Sequence, residues 1–558
     1  MILAAYACAA FLLSRHQEFW SPDSAVRFVQ AESLRRAGYR DVAVPYPAES
    51  LDPEGRFYPA GPWFHYARGG RHYLSYLPYF PAMSAVFYGA LGYPGLILVP
   101  MIAGLAAVWA TYAVLRRLVP GLAIAGTVTL ALGTPLIVYS AVFWDHSLVV
   151  ALAAGALACI AVGIEDSRCP LRGLLAAGAL LGAGTWIRNE MYLLAAVAVG
   201  LWPLAARYGK WRGLLALGGG AGVMVGLQWM VNTRLYGSAM GYKGQGLVVG
   251  RVQDAVAAGT DRLSPWIADK LGNLYYQIVS PDFYAFNPAA VATGLGIAGA
   301  LLLAGLLMRL GVGRRSTWLV TGGGLLATLT SVLAVSSRTS VSGLLLAMPF
   351  VVLLMLGGGR AAWERYLLWV AILFTLAVIL TGTHGGLQWG PRYLLPVVPA
   401  LVWLTAAAVD RARAAPANVW AATRAAAGLI AGASILVQVA GVEFVDFAIA
   451  RNVRVNASLR DAPTEIIVTS LEWLVLGAGP IYFEKQLMFV DSVEDFRKLV
   501  DRLAERRVAR WSYIPRSGGA FRQRQIEEWT AGGAWRYAPV QDMLINGIRV
   551  VTYAGTTP

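Results

Sequence analysis

The feature that most limits how this chain can fold is a succession of apolar runs, each about 18 to 22 residues long and nearly free of charge. A helix of that length crosses a bilayer, where each backbone N–H and C=O has to be satisfied within its own segment. Thirteen such stretches can be read, at roughly 1–14, 94–115, 120–140, 146–164, 172–187, 190–206, 214–233, 290–308, 317–335, 341–357, 366–382, 393–409 and 421–440. Of 558 residues 57% are apolar and only 14% charged, against about 25% charged in soluble domains. The expected fold is a polytopic α-helical membrane protein with about 13 transmembrane helices.

A net charge of +15 would ordinarily raise the question of nucleic acid. Its placement answers otherwise. Short loops on one side carry Arg116 and Arg117, Arg168 and Arg172, Arg207, Lys210 and Arg212, Arg309, Arg314 and Arg315, Arg360 and Arg365, and Arg411 and Arg413. Loops on the other side carry few, Arg338 among them. The positive-inside bias then puts the amino terminus in the cytoplasm and residues from about 441 onward outside. The first span lacks a charged leader and a clear cleavage site, and reads as an uncleaved anchor rather than a signal peptide. Cys8, Cys159 and Cys169 all fall in spans or on the cytoplasmic side, so no disulfide framework is expected outside the membrane. They form no zinc pattern either.

The polar segments divide the rest. Residues 15–93 form a first outer loop, with an amphipathic stretch at Ala25–Arg36 suited to a membrane surface. A second stretch, Tyr73–Leu91, carries Pro78, Pro81 and many aromatics and reads as an interfacial or re-entrant helix. Residues 234–289 make a second long outer loop. Residues 1–440 are thus read as the transmembrane domain and 441–558 as a small extracytoplasmic α/β C-terminal domain. In it Glu465–Ser470, Gln486–Val490 and Arg510–Ile514 read as strands and Val493–Arg506 as a helix. Trp535–Tyr553 reads as a hairpin turning at Asn546-Gly547.

Chemistry concentrates on the expected outer face. All five histidines, His16, His65, His72, His146 and His384, fall there. Asp23, in Ser21-Pro22-Asp23-Ser24, stands where a carboxylate is expensive unless it works as a base; the plainer reading is a helix N-cap. Asp145 and His146 open the fourth span, where Asp also suits a helix start. Arg188-Asn189-Glu190 interrupts an apolar run, either as a tight turn or as the lining of a polar cavity. Arg392, in Gln388-Trp389-Gly390-Pro391-Arg392-Tyr393, suits a phosphate, with interfacial snorkelling as the alternative. Arg234, Tyr242 and Lys243 are weaker anion candidates. The chain contains no GxxxxGK[ST], HExxH or GxSxG, which removes support for ATPase, zincin and serine hydrolase readings. Outside the membrane there is no supply of nucleotide sugars, so group transfer there needs a donor delivered through lipid. A polyprenyl phosphate carrying a sugar fits.

The order of several segments carries a resemblance. SPDSAVRFVQAESLRRAG at 21–38, YLSYLPYFPAMSAVFYG at 73–89, VFWDHSL at 142–148, WIRNE at 186–190, VNTRLYGSAMGYKG at 231–244 and QWGPRYLLPVVP at 388–399 together resemble the GT-C superfamily of integral membrane glycosyltransferases. Within it the chain is most similar to the bacterial family 39-like, polyprenyl-phosphate-sugar-dependent members. The resemblance implies an enzyme of hexosyl or pentosyl transfer in a bacterial plasma membrane, serving cell-envelope glycan biosynthesis. It implies Asp23 as the catalytic base. Arg392, Lys243, Tyr242 and Arg188 would bind the donor phosphate, and Asp145, His146 and Glu190 would line the cavity. Many relatives carry two adjacent acids where this chain has Asp23 followed by Ser24. That departure favours a metal-independent, inverting displacement with no cofactor, while leaving a divalent metal, and Asp145 or Glu190 as the base, open. The expected partners are the donor lipid, a lipid, glycan or protein acceptor and membrane lipids, and no nucleic acid. The competing readings are a lipid-linked oligosaccharide ligase or polymerase, a transporter or flippase, and a non-catalytic scaffold.

Overall fold

The computed structural model describes residues 1–60, 64–166, 171–205, 209–241, 263–281, 288–335, 341–357, 360–382, 388–516, 528–529 and 535–557. Cys169, Tyr242, Lys243, His384 and much of the second long outer loop lie outside the described residues. The chain divides into two compact units. One comprises Met1–Leu13 and Ile97–Val445, the other Ser14–Leu96 and Asp446–Pro558.

Among the described residues, eight helices are long and apolar enough to cross a membrane, including Tyr93–Leu118, His146–Glu165, Lys210–Tyr236 and the 44-residue Ala417–Arg460. Four shorter apolar helices, Ile2–Ser14, Pro120–Leu132, Leu171–Thr185 and Glu190–Ala205, fall within further expected spans. This is a multi-pass membrane protein. The stretch 341–357 differs from the hydropathy reading. It forms a short helix at Leu344–Ala347 and a 3-10 helix at Pro349–Leu356, closed by Gly357 at φ 60°. Pro349 interrupts the helical N–H ladder. The run is apolar because it is buried among other helices, as Leu346, Met348, Phe350 and Val352 are.

Close packing in this unit uses small residues. A Cβ on Gly178 would meet the carbonyl of Leu217, and one on Gly182 would meet the backbone of Ala221. From the facing helix, a Cβ on Gly220 would meet the carbonyl of Leu175. The Gly178-xxx-Gly182 stripe therefore lets Leu171–Thr185 and Lys210–Tyr236 approach backbone to backbone.

The second unit is built on a five-stranded sheet of β3 (Ile466–Thr469), β4 (Gln486–Phe489), β5 (Arg510–Ile514), β6 (Arg536–Ile545) and β7 (Ile548–Thr556), in the order β4-β3-β5-β7-β6. β3 pairs parallel with β4 and β5, whereas β7 is antiparallel to β5 and β6. Each expected strand, the helix (Val493–Glu505) and the hairpin at Asn546-Gly547 are present. Side chains alternate between faces. Val468, Met488, Trp511, Tyr513, Val551 and Tyr553 enter one core, with Phe496, Leu499, Val500 and Leu503 of the helix. Ile467, Leu487, Ile514 and Val550 enter the other, against Leu459 at the end of the long helix.

The first long loop completes the larger of these cores through Val26, Val29, Val44, Tyr46, Phe57 and Tyr58. Polar contacts fix it there. Asp52, fully buried, accepts from Tyr46 Oη at 3.0 Å, Phe57 N at 2.7 Å and Arg502 Nη1 at 2.9 Å. Phe489 N donates to the Phe57 carbonyl at 2.9 Å. The helix expected at Ala25–Arg36 spans Pro22–Arg36, and Ser24 through Leu34 are all buried. It is a core helix, not an exposed amphipathic one. Strands β1 (His65–Arg68) and β2 (Arg71–Leu74) form a separate hairpin, followed by a helix at Tyr79–Leu91.

Tyr58 stacks on His65 at 3.8 Å and on His72 at 5.0 Å, and the two imidazoles share a 2.8 Å hydrogen bond. Burial, and then the neighbouring His72, pushes the His65 pKa down to about 3. The folded pair is therefore neutral at pH values where an unfolded chain takes up protons, below about 6.5. The stabilisation is complete above that pH and is lost as the pH falls. Thermal unfolding should show His65 costing about 2 kcal/mol at pH 5 relative to pH 7.5. His65→Gln should flatten that slope, and equal slopes for both proteins would refute the assignment.

Candidate functional site

The polar cluster of the first unit is assembled from residues 139–146, 188–190 and 389–393, three segments far apart in sequence. Asp145 occupies the N-cap position of His146–Glu165 but makes no capping hydrogen bond. Its side chain, 2% exposed, accepts from Arg188 Nη1 at 2.8 Å. The helix-cap reading of Asp145 thus fails, because the carboxylate is committed to a guanidinium. Arg188 Nη1 also lies 3.3 Å from His146 Nε2, and Arg188 Nε donates to Glu190. Arg188-Asn189-Glu190 is a tight turn, with Arg188 N bonded to the Gly184 carbonyl at 3.0 Å. Its two charged side chains are nonetheless turned into the buried cluster. Burial opposes the charge on Arg188, but Glu190 and Asp145 together outweigh it and raise its pKa above the ordinary arginine value.

Arg392 closes the other side. Its guanidinium lies 5.3 Å from the Trp144 ring and 5.0 Å from the Tyr393 ring, and its Nη2 donates to Tyr393 Oη at 3.1 Å. Arg188 approaches the same Tyr393 ring at 5.7 Å. Two cations thus approach one aromatic ring, an arrangement strengthened where water is scarce. Tyr139 packs on His146 at 4.7 Å and on Trp144 at 5.6 Å. With neutral histidine, two arginines and two carboxylates balance. Asp145 and Glu190 both sit against Arg188.

The scaffold holds these groups rigidly. Trp389 N donates to Tyr139 Oη at 3.2 Å, and Trp389 Nε1 to Gln438 Oε1 at 3.0 Å. Gly390 has φ +67°, and a Cβ there would lie 2.5 Å from Pro135, so only glycine lets the chain turn into Pro391-Arg392. Beneath the Arg188 turn, Thr185 and Tyr192 both donate to Gln228 Oε1, at 2.6 and 2.7 Å.

Asp23 belongs to the second unit. There Ser21, not Asp23, is the N-cap, its Oγ accepting from Ser24 N at 3.3 Å. Asp23 stands in the first helical turn, where the helix dipole favours its charge. Its Oδ1 accepts from Tyr76 Oη. Arg27 donates to the Asp23 carbonyl at 3.0 Å and lies 3.8 Å from the Tyr76 ring centre. Arg234 is exposed in the last turn of Lys210–Tyr236. Sequence reasoning did not select Tyr393, Trp144, Tyr139 or Tyr76. The first two adjoin chosen residues and were discoverable by adjacency; Tyr139 and Tyr76 carried no signal beyond aromatic richness. Among the described residues no group of three or more His, Cys, Asp and Glu side chains is placed to hold a metal ion.

No protein-family model matches the chain, and no curated protein matches it at a significant level. Its fold has a full-length counterpart in a solved structure, ArnT from Cupriavidus metallidurans bound to undecaprenyl phosphate. The two share 13% identity with a TM-score of 0.51, covering 99% of this chain and 97% of that one. ArnT in the apo state, at 13% identity, covers 92% of this chain and 93% of its own, with a TM-score of 0.45. The archaeal oligosaccharyltransferase AglB from Archaeoglobus fulgidus, in complex with an inhibitory peptide and a dolichol-phosphate, is also 13% identical, over 92% and 69%, with a TM-score of 0.45. The last two are too distant to bear on function. The chain thus shares its fold with ArnT over nearly the full length of both.

Removing Arg188 strands two buried carboxylates. Arg188→Met should destabilise the protein by about 3–5 kcal/mol, whereas the triple change R188M/D145N/E190Q should recover most of that loss. Thermal unfolding in detergent reads the comparison, and a triple variant no better than the single one would contradict the pairing.

Proposed function

We propose that this protein is a membrane glycosyltransferase that moves a sugar from a polyprenyl-phosphate donor to an acceptor hydroxyl on the outer face of a bacterial plasma membrane. The observation that carries the reading is the buried cluster of Asp145, His146, Arg188, Glu190, Arg392 and Tyr393 within a multi-pass unit. Its support is the fold shared over nearly full length with a protein solved with undecaprenyl phosphate bound. A guanidinium held against the Trp144 and Tyr393 rings suits a leaving phosphate that gains charge in the transition state. Arg392 takes that role in this proposal. Arg188, saturated by two carboxylates, holds the turn and orients Glu190 and Asp145, and contributes to the local potential rather than by direct bonding.

Asp23 is proposed as the base. A half-buried carboxylate in the first turn of Pro22–Arg36, accepting from Tyr76 Oη, is of the residue type that takes a proton from an acceptor hydroxyl. In the proposed step the acceptor oxygen bonds to the anomeric carbon, its proton passes to Asp23, and the bond from that carbon to the phosphate oxygen breaks. The configuration inverts, and polyprenyl phosphate leaves with the electron pair. A single acid at this position favours displacement without a metal. Lys243 and Tyr242 remain proposed phosphate ligands.

The test uses membranes containing the full chain and radiolabelled polyprenyl-phosphate hexoses and pentoses, following label into a product no longer extractable as donor lipid. Asp23→Asn should lower transfer by about 10²-fold or more. Arg392→Ala should lower it by about 10²–10³-fold at normal expression. Near wild-type transfer by Asp23→Asn would remove that residue as base. Absence of transfer from every prenyl-phosphate sugar by the wild-type protein would overturn the reading.

A further inference from the structure

The second unit contains a half-open cleft of about 800 Å³ that the proposed reaction does not use. Such a volume lies within the range of about 300–1,000 Å³ typical of small-molecule sites. Its walls come from the segment after the first helix, the helix Pro22–Arg36, the Tyr88–Tyr93 turn, the outer end of Ala417–Arg460 and residues 480–484. Asp23 and Tyr76 do not line it.

One wall is aromatic and continuous. Phe19 lies 5.1 Å from Phe28 and 5.6 Å from Tyr93, and Phe28 meets Tyr88 edge-on at 5.6 Å. Phe483 adds a further ring beneath the Arg36 guanidinium, at 4.1 Å. Also lining the cleft are planar hydrogen-bonding groups held in ion pairs, the Glu32 carboxylate being shared by Arg36 and Arg35. Arg36 binds Glu32 at 2.6 Å, Arg460 binds Glu484 at 2.9 and 3.2 Å, and Arg15 binds Asp446 at 2.7 Å. Glu18 is buried, 6% exposed, with Oε1 accepting from Phe19 N at 3.0 Å. Asn456 also lines the cleft, its Nδ2 donating to the Gly477 carbonyl at 3.2 Å.

Three ligand classes can be compared with this lining. A phosphate or other anion needs guanidinium charge that is not already neutralised, and each of these arginines has a carboxylate partner. A lipid chain would desolvate Glu18, Asn456 and the rim pairs without returning their hydrogen bonds, at a cost of about 1–3 kcal/mol per group. A neutral polyhydroxylated ring satisfies both walls. Its C–H face stacks on aromatic carbon, and its hydroxyls both donate to carboxylates and accept from guanidinium and amide N–H groups.

We infer that this cleft is a binding site for a neutral saccharide, seated between the Phe19–Phe28–Tyr88–Tyr93 wall and the Glu18, Asn456, Arg36–Glu32 and Arg460–Glu484 groups. Burial raises the Glu18 pKa to about 7, so near neutrality its carboxyl is available both to donate to and to accept from a hydroxyl. The cleft's size admits more than one sugar ring, which points to an oligosaccharide. Its assignment to the glycan part of the acceptor rests on the glycosyl-transfer reading; the binding itself does not.

The experiment is saturation-transfer NMR on the purified full chain in detergent micelles. The probes are maltotriose, mannotriose and an arabinan trisaccharide, with inorganic phosphate as competitor. At least one trisaccharide should give saturable transfer to its ring protons, undisplaced by phosphate. Glu18→Gln, which preserves shape, should weaken binding at least fivefold, and Phe483→Ala should weaken it without altering the unfolding temperature of the unit. If Phe483→Ala does not fold, Glu18→Gln and Asn456→Leu decide the matter. No saturable signal from any trisaccharide, displacement by phosphate, or full binding by Glu18→Gln and Asn456→Leu would overturn the inference. Saccharide binding by a chain unable to use any prenyl-phosphate sugar would preserve the site and remove only its link to the acceptor.

Discussion

A charge inside a chain this apolar survives only with a partner, and that constraint organises both units. In the first unit Arg188 holds Asp145 at the start of His146–Glu165 and Glu190 at the start of Glu190–Ala205, so two segments distant in sequence are bound at one point. An isolated charge in such surroundings costs several kcal/mol, and pairing recovers much of it only when hydrogen-bond geometry is good. The paired cluster therefore acts as a locator as well as a source of charge. It sets where His146, Tyr393 and Arg392 come together, and the surrounding indole and phenol groups keep that point from relaxing.

The same rule operates in the second unit with a different outcome. Asp52, on the first long loop, is buried against Arg502 of the tail, and Arg56 reaches Asp495 at 2.5 Å. Aromatic packing around Tyr46, Phe57 and Tyr58 then merges loop and tail into one hydrophobic core. A sheet of five short strands gains from this arrangement, since both its faces are covered. The tail is thus more than an appendage to the membrane helices. It supplies the wall on which a loop bearing Asp23, Glu18 and their neighbours is held.

Local pattern accounts for the parts of this structure that were legible beforehand. The β-branched run Ile466–Thr469, the polar–apolar alternation of Arg510-Trp511-Ser512-Tyr513, the Asn546-Gly547 turn and the Phe496, Leu499, Val500, Leu503 stripe each specify their element from within. Hydropathy found the helices but misjudged 341–357, because a segment buried by protein is as apolar as one buried by lipid. The Pro22–Arg36 helix was placed correctly and its burial was not, since its mixed composition resembles that of a surface helix until loop and tail enclose it. Asp145 and Arg188 were each visible as costly charges, yet nothing in either neighbourhood indicated that they pair.

The sequence by itself determined which segments are helices, which are strands and where charge would need compensation. These follow from side-chain periodicity, turn chemistry and the price of desolvation, all of which act over a few residues. Only the tertiary structure decided who compensates whom: Arg188 with Asp145 and Glu190, Asp52 with Arg502, Tyr76 with Asp23, and the cleft walled by Phe19 and Phe28. Such pairings depend on how whole helices and loops pack, which sums many weak contacts between residues far apart in the chain. No single stretch of sequence encodes that sum.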